Sequence, residues 1–124
     1  MKTIIIDTAK NHIRVEEVKD TLHTWYEKLY CDIIDITARK VGGKYFNFIV
    51  DDIGLFKNNY PSAISPEKEV MLVGTTAITG DTDAKGDLTS LSDEDVKLIL
   101  ENVAVMLTEE NGVYTARPYV VCEY

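Results

Sequence analysis

The chain opens on an unbroken apolar run, Ile4-Ile5-Ile6, between Thr3 and Asp7. Successive β-branched residues suit a strand buried on both faces. From His12 to Glu16 the pattern alternates, with Ile13 and Val15 between polar neighbours, which is the period of a strand with one wet face. It pairs with the first strand as a hairpin. From Asp20 the period lengthens: Leu22, Trp25, Tyr26 and Leu29 fall on one stripe of an amphipathic helix. The spacing predicts a helix from Thr21 to Tyr30 with Asp20 as its N-cap, and a solvated His23 and Glu27 pair on the opposite face.

The next two strands pose a choice of register. Ile34, Ile36 and Ala38 form the apolar set of one, and Phe46, Phe48 and Val50 that of the other. A two-residue Gly42-Gly43 turn would oppose Ala38 to Asn47 and Ile36 to Ile49, leaving the phenylalanines across from Arg39 and Thr37. A three-residue loop, Val41-Gly42-Gly43, pairs Ala38 with Phe46, Ile36 with Phe48 and Ile34 with Val50, and puts all of them on one face. The longer loop is expected, with Gly43 in the left-handed conformation.

Between Asp51 and Glu69 periodicity lapses and Gly54, Asn58, Asn59, Pro61 and Pro66 supply turn chemistry. Val70 to Thr79 reads as one strand with a bulge or close approach at Gly74. After an acidic turn over residues 80–87, Ser92 is placed as a helix N-cap. Asp95 completes a capping box, and Leu91 and Val96 form a hydrophobic staple. Val96, Ile99, Leu100 and Val103 continue the stripe of a helix to about Asn102. Asn111-Gly112 then marks a two-residue hairpin that sets Leu107 against Ala116 and Val103 against Val120, with Val105 and Tyr114 on the same face. Pro118 sends the last strand to an edge or a bulge. The fold class is α+β: a mostly antiparallel sheet with two helices packed on it, in the order ββαβββαββ.

At 124 residues the chain makes a single domain over 1–124. Its 13 basic and 21 acidic residues leave a net charge of −8, which argues against direct binding to DNA or RNA. The opening isoleucines are too few for a secretory signal, and apolar residues nowhere run long enough for a membrane span. A cytoplasmic protein follows, with Cys31 and Cys122 as buried thiols.

Candidate chemistry thins on inspection. Asp81, Asp83 and Gly86 fit the first half of a calcium loop, but Lys85 and Ser92 stand where a carboxylate or amide and a bidentate Glu belong, so no metal is expected. Cys31 is followed by Asp32, which opposes a thiolate, and neither His12 nor His23 stands in a catalytic setting with it. Neither a nucleophile elbow nor a P-loop is present, and Glu16-Glu17, Asp51-Asp52 and Glu109-Glu110 are neighbours that strand geometry turns to opposite faces. The reading is of a protein that is not an enzyme and carries no cofactor. The irregular segment offers Asp51, Asp52, Lys57, Asn59 and Tyr60 as contacts, and Tyr60, Tyr119 and Tyr124 suit a partner surface.

Several features together resemble a family. They are the isoleucine-rich first strand, the early helix, the Gly-Gly hairpin followed by Asp51-Asp52, the Val73-Gly74-Thr75 strand, and the helix entry from Leu88 to Asp95. The chain resembles, over residues 3–102, the small proteins of phages and bacterial mobile elements grouped as domain of unknown function 3846, with residues 103–124 as a C-terminal hairpin. The resemblance implies an accessory protein acting in a bacterial cytoplasm and supplies no catalytic residues. The function expected is binding of a host or phage protein, with Asp51, Asp52, Asn59, Tyr60, Asp81, Asp83 and Asp87 as contacts. Counter-defence through acidic mimicry of nucleic-acid phosphates, with Asp93 and Glu94 added, is one form. The alternative is a small-molecule or nucleotide binder using the 51–69 segment and a sheet mouth, with Arg14, Arg39, Arg117 and Lys57 as scattered donors.

Overall fold

The structure is a computed structural model that describes residues 1–54 and 60–124. The elements run β1 (Lys2–Asp7), β2 (His12–Glu17), α1 (Leu22–Leu29), β3 (Ile34–Val41), β4 (Lys44–Asp51), β5 (Pro61–Ile64), β6 (Val70–Val73), β7 (Thr76–Thr79), α2 (Asp93–Glu101), β8 (Val103–Glu110) and β9 (Val113–Val121). The α+β class and the order of elements hold, with short strands added. The strands divide into a five-stranded sheet, β2-β1-β7-β4-β3, and a four-stranded sheet, β6-β5-β9-β8. Pairing is antiparallel except between β5 and β9. Among the described residues no helix is long and apolar enough to cross a membrane.

The three isoleucines explain the layering. Ile4 and Ile6 of β1 join Phe46, Phe48 and Ile78 in a core shared with Ala63 and Val120 of the smaller sheet and Leu91 and Ile99 beside and within α2. Ile5 faces the other way, with Ile49 and Ala77, onto Trp25 and Leu29 of α1. The larger sheet is therefore covered on both faces, and each side chain buried there stabilises the fold by about 1.5–3 kcal/mol.

α1 begins one residue later than the pattern suggested. Thr21 is its N-cap, its hydroxyl accepting from the Thr24 amide, while Asp20 accepts from Trp25 Nε1 at 3.0 Å. Asp20 thus serves as the acceptor that a buried indole N–H requires. Leu22 lies on the stripe yet is 59% exposed, whereas Trp25 and Leu29 on the same stripe are buried. α2 has the full capping box of Ser92 and Asp95, with Leu91 buried and Val96 packed against the same core.

The β3–β4 register corrects the expectation. The turn has two residues, Gly42 and Gly43, with φ of 58° and 85°, and it pairs Ala38 with Asn47, Ile36 with Ile49, Thr37 with Phe48 and Arg39 with Phe46. Two positive φ values in succession give the twist that matches antiparallel strands. The premise that one face takes all the apolar residues fails because β4 is buried on both faces from Phe46 onward. Its phenylalanines go to one core and Ile49 to the other.

Two further expectations are revised. The irregular segment contains a buried strand, β5, too short to show a period. Val70 to Thr79 is two strands in different sheets: the chain passes from β6 to β7 at Gly74 (φ 82°) and Thr75. In the last hairpin the paired residues are as expected, yet the face holding Val105, Leu107 and Tyr114 is open to solvent and Tyr119 is buried. β9 is an interior strand. Its pairing with β5 is confined to Val120 and Val121, so Pro118 stands before that ladder and needs no donor there.

Candidate functional site

The corrected register has a chemical consequence. Asp35, Thr37 and Arg39 of β3 lie opposite Val50, Phe48 and Phe46, so they share the face that the larger sheet turns toward the smaller one. β3 is the edge of the larger sheet and β6 the edge of the smaller. Where they meet, a cavity of roughly 240 Å³ opens. Asp35, Thr37 and Arg39 form one wall, and Met71, Leu72 and Val73 of β6 the apolar wall opposite. Val50, Asp51, Asp52 and Gly54 close the end where β4 runs out.

The polar wall is partly prearranged. Arg39 Nη1 donates to Thr37 Oγ1 at 2.6 Å and to the Ala38 carbonyl at 2.9 Å, and the guanidinium lies 4.7 Å from the centre of the Tyr124 ring. Arg39 Nε is buried and, among the described residues, is the one buried side-chain polar atom without a hydrogen-bond partner. A buried donor left in this way costs about 1–3 kcal/mol, which an incoming acceptor recovers. Asp35 Oδ1 accepts its neighbour's amide, from Ile36, at 2.9 Å, and Asp51 Oδ1 accepts from Ile53 at 3.1 Å. Asp52 holds its place through its own amide, which donates to Ile33 O at 3.0 Å. Among the described residues the lining holds three carboxylates and one guanidinium.

The structure brings Asp51 and Asp52 together in this cavity. Asn59, with Lys57, lies outside the described residues. Tyr60 is elsewhere: its hydroxyl donates to Glu110 Oε1 at 2.6 Å, and Arg117 stacks on its ring at 3.4 Å. The hydrogen bond to Glu110 raises its pKa above the ordinary phenol value. Asp81, Asp83 and Asp87 sit in an exposed turn that Asp83 organises, its Oδ1 accepting from the Lys85 and Asp87 amides at 2.8 and 3.0 Å. Asp93 is paired with Lys2. Asp35 and Thr37 were missed by sequence reasoning. The signal was present in the Gly-Gly turn, whose two-residue form sets polar residues across from the phenylalanines.

A second ionic group is structural in character. The Asp7 carboxylate is fully buried and accepts from Arg14 Nη1 at 2.9 Å, Tyr30 Oη at 2.8 Å and the Lys10 amide at 2.9 Å. Burial works to raise its pKa, but the Arg14, Lys10 and Tyr30 hydrogen bonds together outweigh that and hold it below the ordinary carboxylate range. Arg14 also bonds Glu16 at 2.8 Å, and Glu16 in turn takes Lys28 of α1. The group ties the β1–β2 hairpin to Tyr30, which ends α1 with a left-handed φ of 55°.

Cys122 and His12 border these two groups through Met71 and Arg14, and no cysteine and histidine contact one another among the described residues. Cys122 is buried with its Sγ 3.6 Å from Met71 Sδ, and burial pushes its pKa up to about 11. His12 lies against Arg14 at 3.4 Å, and His23 faces Glu27 at 3.6 Å on the exposed side of α1.

No curated protein and no solved structure matches the chain. A family model matches residues 1–104, from β1 through α2 into the start of β8, and on that match the chain belongs to the DUF3846 family, a domain of unknown function.

Proposed function

We propose that this is a non-enzymatic accessory protein of a phage or mobile element, which acts by binding a host or phage protein and takes a basic side chain of that partner into the cavity between β3 and β6. The phage setting is the one the family resemblance implies. The observation that carries the reading is the inward polar row on an edge strand: Asp35, with Asp52 at the end of the cavity, faces a ligand with cationic character, and Arg39 Nε offers a donor to a neighbouring carbonyl. A lysine or arginine in a peptide supplies both groups. The net charge of −8 favours approach of a basic partner and makes the encounter weaken as salt rises.

The alternative is a small molecule in the same cavity. Its lining favours a small organic cation over a nucleotide, since Arg39 is the single cationic residue among the described residues that form it and phosphates need several donors. Phosphate mimicry by the 81–87 turn has less support, because Asp83 is spent on backbone amides and Asp93 on Lys2.

Capture from lysate of the native bacterial host tests the reading when wild type is compared with Asp35→Asn and Asp52→Asn. Both residues are exposed, and neither carboxylate accepts a long-range hydrogen bond within the described residues, so the fold is kept. A protein held by wild type and lost from both variants supports it. A partner held equally by all three excludes the cavity as its site.

A further inference from the structure

We infer that Asn111 is a self-modification site: its carboxamide is converted to a carboxylate through a cyclic imide with Gly112, and the Glu109 side chain holds that reaction back in the folded chain. The inference is independent of the cavity, which lies beside β6, at the other end of the smaller sheet from the β8–β9 hairpin.

The sequence singles out the position. Six asparagines occur in the chain, and Asn111 is the one followed by glycine. Elsewhere the next residue is His12, Phe48, Asn59, Tyr60 or Val103, each with a Cβ that crowds its own amide nitrogen. The Gly112 nitrogen can attack Asn111 Cγ. The new N–C bond forms, the C–N bond of the carboxamide breaks, and the carboxamide nitrogen leaves as ammonia, carrying the proton of the Gly112 amide. Water then opens the imide at either carbonyl, giving aspartate or, with Cβ taken into the main chain, isoaspartate.

The structure leaves this peptide open to water and sets its geometry against the reaction. Asn111 and Gly112 are exposed, and the Asn111 carboxamide makes no hydrogen bond among the described residues. A Cβ built on Gly112 meets nothing within 4 Å, so no neighbour stands over the reacting peptide. Both residues have positive φ, 53° and 79°, and close the Glu110–Val113 pair as a type I′ turn. In that turn the Gly112 nitrogen stands nearly opposite Asn111 Cβ, whereas a five-membered imide needs the two eclipsed. The reaction therefore waits on opening of the tip, an exposed part of the hairpin that opens at little cost.

Glu109 opposes both the opening and the attack. In a two-residue turn the second central amide takes no part in the ladder, yet the Gly112 amide donates to Glu109 Oε1 at 3.0 Å. The attacking form of the nitrogen has lost its proton. A carboxylate on the N–H holds that proton in place and repels the charge its loss would leave. The other acidic side chain at the tip is engaged elsewhere, Glu110 Oε1 accepting from Tyr60 Oη. Modification changes the hairpin: isoaspartate adds one main-chain atom to a two-residue turn, so the Glu110–Val113 and Glu109–Tyr114 pairs cannot both keep their register. Either product places a further carboxylate beside Glu109 and Glu110.

Peptide mapping by mass spectrometry on the full chain, held at mildly alkaline pH either folded or in unfolding urea, tests this. It counts the exchange of ammonia for water at each asparagine, and chromatography separates isoaspartate from aspartate. In urea Asn111 should be modified before the other asparagines. Folded wild type should be slower at Asn111 than the unfolded chain by at least about tenfold, since the tip must open first. Glu109→Ala, at an exposed position, should quicken the folded chain about three- to tenfold, the effect of one solvent-accessible hydrogen bond on a barrier, with circular dichroism unchanged. Glu109→Gln keeps an acceptor oxygen without the charge and should fall between. Another asparagine modified first in urea, folded wild type as fast as the unfolded chain, a folded Glu109→Ala no faster than wild type, or Glu109→Gln slower than wild type would each overturn the inference.

Discussion

Replacing Asp7 by Asn removes the charge at the centre of the buried ionic group while keeping its shape. The carboxylate accepts three hydrogen bonds, from Arg14, Tyr30 and the Lys10 amide. Asn has one acceptor oxygen, so one of these donors meets an amide NH₂, and the bonds that remain lose their charge assistance. A bond to a charged group contributes about 1.5–3 kcal/mol and a neutral one about 0.5–1.5, while a buried donor without a partner costs about 1–3. Arg14 keeps Glu16, which limits the damage. The expected loss is about 2–4 kcal/mol, a fall of about 1–2 M in the urea midpoint for a domain of this size.

The pH dependence adds a sign. Folding lowers the pKa of Asp7, so its stabilisation is fully present above the unfolded value of about 3.9 and is lost as pH falls through the folded value. Wild type and Asp7→Asn should therefore converge on acidification below about pH 4. Urea unfolding followed by tryptophan fluorescence reads this directly, since Trp25 is buried in the native state. A difference under about 0.5 kcal/mol at neutral pH, or one that widens in acid, would refute the reasoning.

Other outcomes follow from the packing. A Cβ on Gly42 would lie 2.5 Å from Leu98 Cδ1, whereas one on Gly43 meets nothing within 4 Å, so Gly42→Ala should lower the unfolding midpoint more than Gly43→Ala although both have positive φ. Ser92→Ala breaks the capping box of α2 and should cost about 1 kcal/mol by chemical denaturation. Leu29→Ala, at a buried site in the α1 core, should cost about 2–5 kcal/mol, and Leu22→Ala, on the same stripe but exposed, less than about 1.

Much of the scaffold was legible because local physics decided it. The capping box at Ser92 and the Asn111-Gly112 turn depend on a few adjacent residues, and their backbone requirements leave one solution. The doubly buried β1 was readable for the same reason, since three isoleucines in a row have no wet face. The candidate site was less legible. Asp51 and Asp52 were singled out from turn chemistry, but Asp35 and Thr37 came into view only when β6 closed over the β3 edge. That contact joins residues about thirty-five positions apart and leaves no periodic trace. The hairpin register went wrong through a sound rule applied to the wrong case: matching apolar faces presumes one buried face, and β4 has two. The opposition of Arg39 to Phe46, which argues against the short turn on pattern alone, is the feature that builds the polar wall, consistent with local rules being broken where a site is made.

The most direct test of the cavity is a titration of isotopically labelled protein with Nα-acetyl-arginine amide, followed through backbone amide shifts. The account predicts saturable changes at Asp35, Thr37, Arg39, Asp51, Asp52, Gly54 and Met71 to Val73, reduced in Asp35→Asn and absent from the 81–87 turn. Changes that never saturate, or that follow every surface carboxylate alike, would contradict it.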